Sequence, residues 1–174
     1  MDTIEHFALG EAPPFIENRP FDDLKIGQTA RLARAITQSD IELFAAVSGD
    51  VNPAHLDARY ADATLFHGII AQGMLGGSLF STILGTMLPG PGTIYISQDL
   101  RFRHPVKPGD ILTASVVVQT ADAETKRVVL DCVCVNQDGK DVITGTAEVI
   151  APTEKIRRPR VALPDVCIIH HEEP

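Results

Sequence analysis

Cysteine is scarce in this chain, and the three present (Cys132, Cys134 and Cys167) form an odd set with no spaced framework. That excludes a disulfide scaffold. Cys132 and Cys134 lie two apart in a strand-like run, so they share a face and read as buried thiols. No further Cys or His stands at ligand spacing beside them, so no zinc site is expected. Basic charge is also short, with 15 Lys and Arg against 23 Asp and Glu and a net charge of −8. This disfavours general binding to nucleic acid or to an anionic membrane. The opening Met1–His6 has neither a basic start nor an apolar core, so no secretory signal is visible. With free thiols, that places the chain in a reducing, cytoplasmic compartment. No Gly-x-Ser-x-Gly elbow is present, which removes a serine hydrolase.

The longest absence is of charge itself. From Gly68 to Gln98 there is no Asp, Glu, Lys or Arg. The apolar part, Ile69–Leu88, nearly reaches the ~20 residues needed to span a bilayer. Gln72, four glycines, Ser78, Ser81, Thr82 and Thr86 argue against a span. The segment therefore reads as a buried helix, stopped by Pro89-Gly90-Pro91-Gly92. Its small residues let a backbone lie close against a sheet.

The chain's 174 residues, 44 % hydrophobic and 22 % charged, suit one soluble domain. Residues 1–20, with Pro13, Pro14 and Pro20, read as an extended leader. The domain proper runs over 21–151. It starts with a strand-like Thr29–Ile36, then a capping-box sequence Thr37-Gln38-Ser39-Asp40 opening a helix that Gly49 stops. Asn52-Pro53 is a turn signal, and Pro53 opens a second short helix through Tyr60. After Gly92 the pattern is β, with strands over Thr93–Arg103, Ile111–Thr120, Arg127–Asn136 and Asp141–Ile150 and a hairpin signal at Asp138-Gly139. One long buried helix followed by an antiparallel meander predicts an α+β fold. Residues 152–174 carry the basic Lys155–Arg160 stretch and the polar end His170–Pro174, and read as a tail or linker.

The chemistry concentrates in Phe44–His55, where a carboxylate (Asp50) and an imidazole (His55) share one turn-rich loop. Such a pair can activate one water and shuttle one proton. A loop Asp before Asn-Pro is also an ordinary turn residue, and a loop His is often only a surface group. Ala71-Gln72-Gly73-Met74 opens the uncharged helix, whose N-terminal N–H groups form a site for negative charge; Gly73 lets an oxygen approach without a Cβ in the way. Tight helix–sheet packing alone also accounts for Gly73.

Phe44, Ser48-Gly49-Asp50, Asn52-Pro53, His55 and Ala61 together resemble the signature of the MaoC-like, (R)-specific enoyl-CoA hydratases (hydratase 2). The resemblance implies a hot-dog fold, an antiparallel sheet wrapped around the long helix. It implies a lyase: reversible, cofactor-free syn hydration of trans-2-enoyl-CoA to (R)-3-hydroxyacyl-CoA. Asp50 and His55 are then catalytic, Asn52 and Pro53 support the loop, and Gly73 donates to the developing enolate oxygen. Ser81 lies where such hydratases carry an active-site serine. An acyl-CoA substrate is an anion, and Arg101, Arg103, His104 and Lys107 are the local candidates for its phosphates. The resemblance further implies a homodimer or higher oligomer. The tail resembles the junction in bifunctional proteins where such a hydratase precedes a phosphate acetyltransferase. Two alternatives share the fold. A hot-dog thioesterase needs a carboxylate on the long helix, and this one has none. A non-catalytic acyl-CoA-binding domain is disfavoured by the presence of both Asp50 and His55.

Overall fold

The computed structural model describes His6–Phe7 and residues 13–169. The opening Met1–Glu5 and the polar end His170–Pro174 lie outside the described residues. The elements run β1 (His6–Phe7), β2 (Phe15–Glu17), a single 3-10 turn (Phe21–Asp23), β3 (Thr29–Ala35), α1 (Gln38–Ser48), α2 (Pro53–Leu56), α3 (Ala58–Asp62) and α4 (Gly73–Thr86). Then follow β4 (Ile94–Phe102), β5 (Ile111–Ala121), β6 (Arg127–Val135), β7 (Asp141–Ile150) and β8 (Arg157–Pro159).

Six strands form one sheet in the order β1-β3-β5-β6-β7-β4, antiparallel throughout except where the two-residue β1 joins β3. Alternation decides which side chains go inward. Leu112, Ala114, Val116 and Val118 of β5 and Val128, Leu130, Cys132 and Cys134 of β6 are buried and face Leu79, Phe80, Ile83 and Leu84 of α4. Burial pushes the two thiols up, Cys132 to about 11 and Cys134 to about 12, so both stay protonated and inert. This is the expected α+β, hot-dog arrangement, with the sheet curving over one helix.

The helix is not buried all round, however. Met74, Ser78, Ser81, Thr82 and Gly85 form an exposed face. Spacing of three and four residues puts them on one stripe. The absence of charge had suggested full burial, but small and hydroxyl residues tolerate either environment. Among the described residues no helix is long and apolar enough to cross a membrane.

The residues read as leader and tail meet. β2 pairs antiparallel with β8, and the wholly buried Asn18 donates to the Glu154 carbonyl (2.8 Å) and accepts from the Ile156 N–H (2.8 Å). Residues 152–159 are thus docked on the domain.

α1 is fixed at its start by the expected capping box: Thr37 Oγ1 accepts from the Asp40 N–H, and the Asp40 carboxylate accepts from the Thr37 N–H and from Arg34. Burial alone would raise the Asp40 pKa; the hydrogen bonds from Thr37 and the Arg34 guanidinium outweigh it, and the net shift is down from the ordinary 3.8. A carboxylate shifted down stabilises the fold above its unfolded value and loses that contribution as pH falls through the folded value. Asp40→Asn should therefore lower stability at neutral pH, and its deficit should shrink below pH 3.8. Urea midpoints of both proteins across pH 7 to 3 check this.

Candidate active site

Gly49 ends α1 in the left-handed conformation (φ 75°), which turns the chain back and places Asp50 just outside the helix. Asp50 Oδ1 accepts from the Asn52 N–H (3.1 Å), closing an Asx turn. Asn52 in turn caps α2 by accepting from the Ala54 N–H (3.1 Å), and Pro53 occupies the first helical position. The second helix expected through Tyr60 is interrupted at Asp57, whose carboxylate accepts from the Arg59 and Tyr60 N–H groups and starts α3 afresh. Because Asn52 holds the turn and the cap together, Asn52→Ala should cost about 1 kcal/mol. In a chain of this size that is a Tm loss of about 2–4 °C, readable by calorimetry.

His55, on α2, is 7 % exposed. Its Nδ1 lies 2.7 Å from the Ile70 carbonyl oxygen. A carbonyl only accepts, so Nδ1 carries the hydrogen and the neutral ring presents a lone pair at Nε2. Nε2 stands 3.7 Å from Asp50 Oδ2. That is too long for a direct hydrogen bond. Two acceptors at this separation match one water placed about 2.8 Å from each, donating a hydrogen to both.

The segment after Ile70 leads straight into the third part of the site. The Ile70 N–H donates to Ala54 and the Ala71 N–H to Val106, while the Gln72 side chain donates to the Ile41 carbonyl on α1. Gly73 follows as the first residue of α4, so its N–H has no acceptor within the helix. A Cβ here would lie 2.8 Å from the Phe102 ring, so any larger residue would have to displace that ring.

His55, Ile70, Gly73, Phe102, Arg103 and His104 line one cavity of about 480 Å³ with an otherwise largely apolar wall. Asp50 is not part of that lining and reaches the cavity only across its gap to His55. Ser81 is also absent from it, lying on the exposed face of α4 two turns beyond Gly73. Of the four candidate basic residues, Arg103 and His104 reach the cavity. Arg101 instead lies 4.0 Å from Asp99, and Lys107 is directed to the His67 carbonyl (3.4 Å). β4 ends at Phe102, so the alternation that would set Arg103 opposite Phe102 stops there. The role of Ile70 had no signal in the sequence, since only its backbone carbonyl is used. Among the described residues, no group of three or more His, Cys, Asp or Glu could hold a metal ion.

A family model described as "MaoC like domain" matches residues 23–149. The chain is 48 % identical over 132 residues to an (R)-specific enoyl-CoA hydratase of Rhodospirillum rubrum, covering 76 % of this chain and 91 % of the relative. It is 43 % identical over 135 residues to a 3-hydroxybutyryl-CoA dehydratase of Methylorubrum extorquens, covering 78 % and 85 %. The solved structure of the R-hydratase PhaJ1 from Pseudomonas aeruginosa superposes with a TM-score of 0.85 at 46 % identity, covering 88 % of this chain and 99 % of that one.

Proposed function

Because this chain belongs to the MaoC-like domain family, we propose that it is a lyase that reversibly hydrates trans-2-enoyl-CoA to (R)-3-hydroxyacyl-CoA. The observation that carries the reading is the 3.7 Å gap between His55 Nε2 and Asp50 Oδ2, with His55 and Gly73 lining the same cavity. The thioester oxygen sits at the α4 N-terminus and accepts from that N–H. One water, held by both acceptors, attacks C3 as one of them takes its proton. Electrons move to the thioester oxygen as an enolate, which the helix N-terminus stabilises. The proton then returns to C2, restoring the thioester. Water and proton come from the same side, so addition is syn. Asn52 and Pro53 support the loop, and Ser81, on the exposed face of α4, would meet substrate only if a partner subunit extends the cavity across that face.

That partner is a second copy. β4 is the last strand of the sheet, with its outer edge unpaired among the described residues and with Ile94, Tyr95, Ile96 and Phe102 exposed. An open apolar edge of this kind favours association. It adjoins the exposed face of α4 and the Phe102 wall of the cavity, so pairing there would cover the site. Light scattering should give at least twice the 18.8 kDa chain mass. The catalytic unit is 21–151, and free thiols at Cys132, Cys134 and Cys167 fit a reducing cytoplasm.

The test is to mix the protein with crotonyl-CoA and follow both enoyl absorbance and free thiol. Absorbance should fall to an equilibrium value with no thiol released. Thiol release would instead indicate a thioesterase, for which α4 offers no carboxylate.

A further inference from the structure

Among the described residues no acidic side chain lines the cavity, and Arg103 is the one permanently charged side chain that does. Both basic groups at this wall are held from behind. Arg103 Nε donates to Thr144 Oγ1 (3.1 Å), which leaves the two terminal nitrogens of the guanidinium unspent by that bond. His104 Nδ1 lies 2.6 Å from the Asp141 carbonyl oxygen, so it carries the hydrogen and Nε2 is presented elsewhere. No carboxylate pairs with Arg103 among the described residues, whereas Arg34, Arg101 and Arg127 each have one. A planar guanidinium fixed at one edge and uncompensated matches a phosphate group.

We propose that Arg103 anchors a phosphate of the phosphopantetheine-bearing thioester at the mouth of the cavity. This rests on the acyl-CoA reading and deepens it. Phe102 packs against Gly73 and Arg103 follows it directly, so the anchor and the oxyanion donor are tied through one strand end. Arg101, one residue outside the cavity, takes no part. The 4′-phosphate is common to coenzyme A and to a carrier-protein arm; the remaining phosphates belong to coenzyme A alone.

The experiment is calorimetric binding of free coenzyme A, 4′-phosphopantetheine and pantetheine to the wild type, Arg103→Ala and Arg101→Ala. A charge-assisted contact of this kind is worth about tenfold or more in affinity. Arg103→Ala should weaken coenzyme A about tenfold, with pantetheine unaffected and Arg101→Ala matching the wild type. Loss for 4′-phosphopantetheine as well locates the anchor on the shared phosphate; loss for coenzyme A alone locates it on the nucleotide phosphates. Unchanged coenzyme A binding in Arg103→Ala, equal loss for pantetheine, or equal loss in Arg101→Ala overturns the proposal. Because binding is read without turnover, an inactive protein that still shows Arg103-dependent binding refutes hydration and leaves the anchor standing.

Discussion

Asp50→Asn and His55→Gln should each slow crotonyl-CoA hydration by about 10²–10⁴-fold. Both substitutions keep local geometry. Asn retains an oxygen for the Asn52 N–H, and Gln is close to the imidazole in length and volume. The loss should thus fall on kcat, with KM little changed and the thermal transition within a few degrees. In the proposed mechanism the two groups hold one water, so either change disables it. The double variant should be barely slower than the worse single one, because residues that act as a unit are non-additive. A double variant whose losses simply multiply would show that the two side chains serve separate steps.

Gly73→Ala is expected to have the next largest effect. The added Cβ would come within 2.8 Å of the Phe102 ring. Phe102 is 52 % exposed, so the ring can swing aside and the fold survives. The ring then moves into the cavity, and the thioester oxygen loses its approach to the Gly73 N–H. Loss of one such donor costs about 10²–10³-fold in kcat, and steady-state kinetics with a matched melting curve separate this from unfolding. An unchanged kcat would mean that the enolate oxygen is stabilised elsewhere.

The parts of this site written locally were legible from sequence. The stop at Gly49, the Asx turn at Asp50 and the Asn52-Pro53 cap are all set within a few residues, so the loop could be placed without coordinates. Strand alternation likewise foretold the inward row of β5 and β6. Closure of the sheet over the helix came from family resemblance, since periodicity gives elements and not their arrangement.

What was not legible depends on distant partners. β2 and β8 are three residues each and lie about 140 positions apart, too short and too separated to leave a pattern. The exposed stripe of α4 carries no charge to betray it. Arg103 enters the cavity because β4 stops one residue earlier, and strand ends are poorly marked by propensity. His55 was visible as a residue, but the atom that fixes its tautomer is the backbone oxygen of Ile70, which has no signature in side-chain identity.

The most direct test of a single water shared by Asp50 and His55 is hydration of crotonyl-CoA in D2O, with the relative configuration at C2 and C3 read by NMR. Deuterium at C2 on the same face as the new hydroxyl, with R configuration at C3, is the predicted result. An anti adduct, or an S product, would contradict it.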